Sequence, residues 1–246
     1  MIRLAVLVPM SNLAVEPEFY KMAPEGIAIH FARISSTPPL SPSPEQWSKE
    51  IRSSLDAMGQ DAPRVAKEFS IRRDEIKILA LACTSGSFHR GIEHERDLVH
   101  NMEEASGIPS ITTSGAVVKA LQELKMKRLC LISPYAPYSH ERAIDFLVAN
   151  GFEVIASKGL GLQNIEHSLL PPEVSRDLAL ATCPGVDCDG IFSSCTAFRT
   201  VEILDEVEKE IGKPMVSANQ ATMWLMLKKA GVKEPISGFG TLMRHL

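Results

Sequence analysis

The sequence predicts an α/β fold made of two pseudo-symmetric Rossmann-like lobes, each a parallel sheet flanked by helices. Short, continuous apolar segments alternate with amphipathic segments of helical period along nearly the whole chain. This alternation is typical of parallel sheets that are covered on both faces. Several segments also occur twice in the same order, which indicates a duplicated α/β unit. Ligands bind at the carboxyl ends of parallel strands, so we expect the functional residues where the predicted strands end.

The predicted strands are apolar runs bounded by polar, glycine or proline residues. In chain order they are Ile2–Val8, Ile27–Ile34, Ile76–Ala82, Ser110–Thr112, Arg128–Ile132, Glu153–Ala156, Gly190–Ser193 and Met215–Ser217. The predicted helices between them carry apolar residues at helical spacing. They are Pro44–Ser70, Phe88–Ser106, Ser114–Leu124, Ser139–Asn150, Pro172–Thr182, Arg199–Ile211 and Gln220–Ala230. The proline-rich segment Thr37–Pro44 is predicted to be an exposed loop.

Three pairs of similar segments relate the two halves of the chain. They are Leu7–Asn12 with Leu131–Tyr135, Ile78–Gly86 with Gly190–Phe198, and Gly107–Thr112 with Gly212–Ser217. Because identity between the halves is low, chance similarity of βα turns is the alternative explanation. From the repeat we assign residues 1–112 plus 218–246 to a first lobe and residues 113–217 to a second.

Composition and charge limit the possible partners. The 246 residues carry a net charge of −4 with lysine and arginine spread along the chain, which does not favour nucleic acid. No apolar stretch approaches the ~20 residues that span a bilayer, and Met1–Pro9 is too short for a signal peptide. Five cysteines, an odd number, favour a reducing, cytoplasmic setting. We expect a small anionic substrate, no nucleic-acid or membrane partner, and a homodimer.

Cys83 and Cys195 are the main candidates for chemistry. Each ends a predicted strand and is followed at once by threonine and a helix-like segment. A thiol that faces a helix amino terminus can acquire a lowered pKa, which favours a reactive thiolate. Most cysteines are small buried apolar residues, and this is the alternative for the pair. Their equivalent positions in the two halves favour catalysis on both faces of one small molecule.

No cofactor or metal is predicted. Cys130 lies inside a predicted strand and is expected to be a buried apolar residue. The spacing of Cys183 and Cys188 is at the wide end for half a zinc site, and no second Cys/His pair lies nearby. We therefore expect loop cysteines without a role. The histidines are scattered and expected to be solvated or to cap helices. Nucleotide-binding and serine-hydrolase motifs are absent from the sequence.

Four polar residues are candidates for binding the substrate. Ser11, Asn12 and Tyr135 follow predicted strands at equivalent points of the two halves, where a doubly wound sheet binds ligands. Asn164 lies in an irregular segment. A helix cap explains Ser11 and Asn12 equally well, loop packing explains Tyr135, and a turn explains Asn164.

Motifs spread over nearly the whole chain carry a family resemblance. They are Val8–Asn12, Glu16–Glu18, Met22–Gly26, Cys83–Phe88, Ser133–Tyr135, Ser194–Thr200 and Pro214–Trp224. With these motifs the chain resembles the aspartate/glutamate racemase superfamily, and within it the branch of maleate cis-trans isomerases and arylmalonate decarboxylases. The resemblance implies two lobes around a cofactor-free site.

The resemblance also implies roles for individual residues. Cys83 and Cys195 match the two catalytic thiols of this family. Asn12, Tyr135 and Asn164 would hold substrate carboxylates. The backbone N–H groups of three further residues would stabilise the charge that develops during reaction, and these residues are Thr84, Ser85 and Thr196.

The resemblance favours an isomerase of a small dicarboxylate that converts maleate to fumarate. Arylmalonate decarboxylases of this type keep only the second cysteine and have glycine at the first position, so Cys83 departs from them. One thiol would act as nucleophile and the other as acid/base, and the sequence does not assign these roles. The alternatives are a two-thiol racemase of an amino acid or hydantoin-like substrate, an arylmalonate-type decarboxylase, and a non-catalytic dicarboxylate-binding protein.

Overall fold

The computed structural model describes residues 1–35 and 44–246. The predicted loop Thr37–Pro44 lies outside these residues except for Pro44, which begins a helix. The strands are β1 Ile2–Pro9, β2 Ile27–Ile34, β3 Ile76–Leu81, β4 Ser110–Thr112, β5 Arg128–Tyr135, β6 Glu153–Leu162, β7 Gly190–Ser193 and β8 Met215–Ser217. The helices are α1 Val15–Met22, α2 Pro44–Glu68, α3 Thr84–Phe88, α4 Ile92–Ser106, α5 Thr113–Glu123, α6 Pro137–Ala149, α7 Asn164–His167, α8 Pro172–Thr182, α9 Leu204–Ile211 and α10 Ala218–Lys229. None of the helices described is long and apolar enough to cross a membrane.

Two parallel sheets with the same connectivity confirm the predicted pseudo-symmetric lobes. The first sheet has the order β2-β1-β3-β4, and the second has the order β6-β5-β7-β8. In each sheet the connection from one central strand leads to the strand at one edge, and the connection from the other central strand leads to the opposite edge. This arrangement opens a crevice at the carboxyl ends of the two central strands. The first sheet ends at Thr112 and the second at Ser217, which are the predicted lobe boundaries. The division into lobes stays a prediction, because α5 and α10 pack against each other across it.

The repeated Gly-X-Pro segments have the same structural cause in both halves. Gly107 ends α4 with a φ of 69°, and Gly212 ends α9 with a φ of 71°. This left-handed conformation disfavours residues with a Cβ, so glycine ends each helix before the chain enters β4 or β8.

Buried side chains on both faces explain why the central strands are continuous apolar runs. In β1, Leu4, Val6 and Val8 belong to one buried cluster, whereas Ala5 and Leu7 belong to a second cluster beneath α2. This alternation follows from the two-residue period of a strand. The first cluster also includes residues of the second sheet, so the two lobes share a core.

The structure extends the predicted elements near the cleft. Strand β5 continues through Tyr135, and β6 continues to Leu162 through a segment that the sequence indicates as irregular. Three short helices, α1, α3 and α7, directly follow the β1, β3 and β6 regions. Helix α3 carries Thr84 and Ser85, and α7 begins at Asn164. Asn12 precedes α1 by three residues.

Candidate active site

One small cavity lies where the carboxyl ends of the two sheets meet. Its volume is about 50 Å³. The structure brings together here all nine residues predicted for the site: Ser11, Asn12, Cys83, Thr84, Ser85, Tyr135, Asn164, Cys195 and Thr196. Residues that the sequence analysis missed complete the lining: Pro9, Ser54, Leu55, Met58, His167 and Ala197. The catalytic and binding roles of the nine remain predictions.

Cys83 is the N-cap of α3, as its position after β3 predicts. Its Sγ accepts a hydrogen bond from the Gly86 backbone N–H at 3.4 Å and lies 3.8 Å from Ser85 Oγ. Glycine at position 86 permits this close approach, since a Cβ there would lie 3.1 Å from the sulfur and 2.0 Å from Met58 Cε. The sulfur of Cys83 is thus held at the cavity wall by one backbone donor and by a hydroxyl that can donate or accept.

Cys195 occupies the equivalent strand end but a different backbone geometry. A turn follows it instead of the predicted helix, and its φ of 132° is one that residues with a Cβ rarely adopt. Its Sγ accepts a hydrogen bond from the Ala197 backbone N–H at 3.3 Å. The strained turn holds the second thiol at the cavity, so the two halves present their cysteines by different local structures.

The predicted lowering of the thiol pKa is wrong for both cysteines. Burial raises the pKa of Cys195 to about 12, and burial also raises the pKa of Cys83. The hydrogen bonds from backbone N–H groups oppose this shift but do not overcome it, because a buried thiolate loses most of its hydration. Both thiols are therefore protonated at neutral pH in the free protein.

Hydrogen bonds across the cleft fix the two lobes around the cavity. Asn12 Nδ2 donates to Thr196 Oγ1 at 3.1 Å, and Thr196 Oγ1 donates to the Ala82 carbonyl at 3.1 Å. Asn12 Oδ1 also accepts from the backbone N–H groups of Ala14 and Val15, so it stabilises the turn that leads into α1, whose N-cap residue is Ala14. Asn12 therefore supports the start of the helix without being its N-cap residue, and it lines the cavity at the same time.

The donors around the cavity are neutral. Among the described lining residues, none is lysine or arginine. The Thr84 hydroxyl is buried and has no hydrogen-bond partner among the residues that the structure describes. A buried hydroxyl without a partner costs free energy unless a bound molecule satisfies it. The cavity can therefore hold a small anion through hydroxyl, amide and backbone N–H donors.

His167 is the chemically important residue that the sequence analysis missed. It is buried at the end of α7, and its Nδ1 lies 3.7 Å from Cys195 Sγ. Its Nε2 lies 3.1 Å from the Leu162 carbonyl oxygen, which can only accept, so Nε2 carries the proton and Nδ1 is an acceptor. Burial lowers the pKa of His167 to about 4, which keeps the ring neutral. The only sequence signal was its place three residues after Asn164.

A buried carboxyl group supports the Cys195 turn from the opposite lobe. Glu18 of α1 accepts hydrogen bonds from the backbone N–H groups of Thr200 and Val201 and from Asn219 Nδ2. Asn219 also donates to the Thr196 carbonyl at 2.9 Å. Burial raises the pKa of Glu18 to about 7. Glu18 therefore links α1 to the segment that carries Cys195 and Thr196.

Replacing Glu18 by glutamine is expected to remove a pH dependence of stability. The folded pKa of about 7 lies above the ordinary value of 4.5, so folding favours the neutral acid. The contribution of Glu18 to the free energy of unfolding is present below pH 4.5 and is lost as pH rises to about 7. The loss is at most roughly 3 kcal/mol. Urea unfolding of both proteins across this range measures the difference.

The control for this variant is Glu16→Gln, which changes a partly exposed carboxylate on the same helix that pairs with Arg33. We expect Glu16→Gln to preserve the pH dependence. If Glu18→Gln keeps the wild-type dependence of the unfolding free energy on pH, the assignment to Glu18 is contradicted.

Two facing lobes with a cysteine at equivalent strand ends define the class of protein, a two-lobed α/β protein of the aspartate/glutamate racemase-like superfamily. The chain belongs to the arylmalonate decarboxylase family, whose profile matches residues 53–243.

Relatives from two branches of this superfamily are similar to the chain. The maleate isomerase of Pseudomonas putida is 27% identical over 98% of this chain and 96% of its own length. The arylmalonate decarboxylase of Bordetella bronchiseptica is 30% identical over 65% of this chain and 68% of its own length. A structure of a Nocardia farcinica maleate cis-trans isomerase mutant with a covalently bound succinylcysteine intermediate superposes with a TM-score of 0.85. Its identity is 22% over 99% of this chain and 98% of that chain, so it establishes the shared fold.

Proposed function

We propose that this protein is a cofactor-independent isomerase that converts maleate to fumarate. The observation that carries the proposal is the presence of Cys83 and Cys195 on the wall of one cavity. Two thiols can perform nucleophilic addition and proton transfer on one small molecule, whereas the resemblance gives decarboxylases glycine at the first position. The maleate isomerase of Pseudomonas putida also aligns over the whole chain, whereas the decarboxylase relative aligns over two thirds.

The neutral donors of the cavity suit the two carboxylates of maleate. Thr84, Ser85 and Thr196 belong to the turns that follow β3 and β7, and Asn12 and Asn164 begin or precede short helices. Placing both carboxylates on such donors fixes the double bond between the two sulfurs. The unpartnered hydroxyl of Thr84 gains an acceptor in this arrangement. Because these donors are neutral, the maleate dianion is not held by a fixed positive charge.

Addition and elimination of one thiol account for the isomerisation. The Cys83 sulfur bonds to one alkene carbon while the π electrons take the proton of Cys195 at the other carbon, which gives a succinylcysteine. The proton that Cys83 loses passes to the vacated sulfur of Cys195, so one protonated thiol remains. Rotation about the new single bond follows, and the reverse steps break the carbon–sulfur bond and release fumarate. Covalent addition divides one high barrier into lower ones.

The hydrogen bonds support different roles for the two thiols. The Cys83 sulfur faces two donors, Gly86 N–H and Ser85 Oγ, which stabilise a developing thiolate. The Cys195 sulfur accepts from one backbone N–H, that of Ala197, but it also faces the Nδ1 acceptor of His167, to which only the protonated thiol can donate. Cys83 is therefore the nucleophile and Cys195 the acid. In the solved relative, a cysteine carries a succinyl group, the adduct that this proposal requires.

Proton NMR tests the function directly. The purified protein is incubated with maleate and, separately, with an arylmalonate or with an amino acid or hydantoin in D₂O. We expect fumarate from maleate, no CO₂ release from the arylmalonate and no deuterium exchange at the α-carbon. The Cys83→Ser/Cys195→Ser variant controls for thiol-independent conversion.

The alternatives give different results in the same assay. Decarboxylation, or α-deuterium exchange without fumarate, would replace the isomerase with a decarboxylase or racemase. Maleate binding without any turnover would favour the binding protein. The free state of all five cysteines supports a reducing, cytoplasmic setting as part of this proposal, and a homodimer remains a prediction.

A further inference from the structure

Three cysteines form a second thiol cluster outside the candidate active site. Cys130 lies in β5, Cys183 ends α8, and Cys188 lies in the turn that precedes β7. Cys188 Sγ lies 3.6 Å from Cys130 Sγ and 3.5 Å from Cys183 Sγ, and the three sulfurs lie within 4.8 Å of one another. The sequence shows no nearby partner for Cys183 and Cys188, because Cys130 is more than 50 residues away.

We propose that Cys130, Cys183 and Cys188 form a binding site for a zinc ion. With Zn–S bonds of about 2.3 Å, the sulfurs of a tetrahedral site lie about 3.8 Å apart, so the observed spacing needs only small adjustments. Three side chains from three elements converge on one point, and all three are buried. A water molecule completes the tetrahedron in this proposal.

The charge near the cluster matches a zinc ion held by three thiolates. Lys213 Nζ lies 3.7 Å from Cys188 Sγ and donates to the Val186 carbonyl at 2.9 Å, which fixes its position. Three thiolates and a divalent cation carry a net charge of −1, and the ammonium of Lys213 neutralises it. Soft thiolate ligands also favour zinc over magnesium or calcium.

Binding requires the three thiols to lose their protons. Burial raises the pKa of Cys183 to about 11, and burial with the neighbouring sulfurs also raises the pKa of Cys130. Because zinc binds cysteine as the thiolate, its binding displaces thiol protons to solvent.

The site lies at the opposite end of the second sheet from the candidate active site. Cys188 precedes β7, and Cys195 follows that strand. The connection before β7 therefore lies at the amino end of the strands, where it stabilises the lobe rather than touching the cavity. The proposed role is structural, and it is independent of the isomerase proposal.

Cobalt(II) titration tests the site, because cobalt replaces zinc in thiolate sites and absorbs light through its sulfur ligands. The titration uses the Cys83→Ser/Cys195→Ser protein, which lacks the cavity thiols, under a non-thiol reductant. We expect one cobalt ion per chain, displaced by one zinc ion. Adding Cys130→Ala or Cys188→Ser is expected to weaken binding at least about a hundredfold, and Lys213→Ala about tenfold.

Several outcomes would overturn the zinc site. The first is the lack of a thiolate–cobalt band in the double variant at millimolar cobalt. The second is a band that persists after Cys130→Ala and Cys188→Ser. If the added substitutions prevent folding, a melting temperature of the unaltered chain that does not rise with zinc decides against the site.

Discussion

Replacing Cys83 by serine is expected to lower kcat/KM for maleate by at least about 10⁴-fold, because the serine hydroxyl is a far weaker nucleophile than a thiol. Replacing Cys195 by serine is expected to lower turnover by a similar factor. The two variants nevertheless differ in what they accumulate. With Cys195→Ser, the adduct on Cys83 forms slowly with a proton from solvent, and it then persists because no thiolate at position 195 removes that proton again.

Intact mass spectrometry after an acid quench distinguishes these cases. Cys195→Ser should gain the mass of one maleic acid on the peptide that contains Cys83, whereas Cys83→Ser should remain unmodified. Cys188→Ser is the matched control, because its side chain is as buried as the cavity thiols but lies outside the cavity. An adduct on Cys195, or turnover by Cys83→Ser within about tenfold of the wild type, would contradict the assigned roles.

The strand ends of this fold were predictable because they depend on local sequence. Both faces of the central strands are buried, so the strands are continuous apolar runs that end where polar turns begin. Gly107 and Gly212 mark equivalent helix ends for a reason intrinsic to glycine. These local signals placed Cys83 and Cys195 at facing strand ends.

The chemistry of the thiols was not predictable from the same signals. Whether a cysteine has a raised or a lowered pKa depends on how completely neighbouring elements cover it. Tyr135 and His167 belong to elements far from both cysteines in the chain, yet they line the same cavity. The position of Cys83 before a helix therefore predicted the hydrogen-bond donors at its sulfur correctly. It predicted a lowered pKa wrongly, because desolvation depends on the tertiary structure.

Partners that are distant in sequence were also missed. His167 precedes Cys195 by 28 residues, and nothing in its surroundings distinguishes it from a surface histidine. It reaches the thiol because β6 extends beyond its predicted end and α7 then turns back over the cavity. The cluster of Cys130, Cys183 and Cys188 was missed for the same reason, because a strand residue meets a loop only after the sheet has formed.

Replacing His167 by glutamine is expected to lower kcat for maleate by about 10–100-fold, with a smaller change in KM. The neutral ring accepts a hydrogen bond from the Cys195 thiol through Nδ1, so its loss leaves the acid of the reaction poorly oriented. Below about pH 4 the wild-type ring gains a proton and loses the acceptor, so activity should fall in the same way. Steady-state kinetics across this range measures both effects.

The same substitution should change how stability depends on pH. Because the folded pKa of about 4 lies below the ordinary 6.5, His167 contributes stability above pH 6.5 that is lost as pH falls to about 4. The loss is at most roughly 3 kcal/mol, and His167→Gln should lack it. Comparing wild type with variant cancels the opposite contribution of Glu18.

His140→Gln is the matched control, because His140 is a half-buried histidine of the same lobe that contacts Ser133 outside the cavity. It should keep the wild-type kcat. If the role of His167 is purely structural, His167→Gln would lower the stability of the protein. The kcat of the folded fraction, and the decline of kcat near pH 4, would then be unchanged. If His167 acts through Cys195, both the kcat and its decline near pH 4 must change. In a Cys195→Ser background, His167→Gln must then change kcat very little, because the two residues act as one unit.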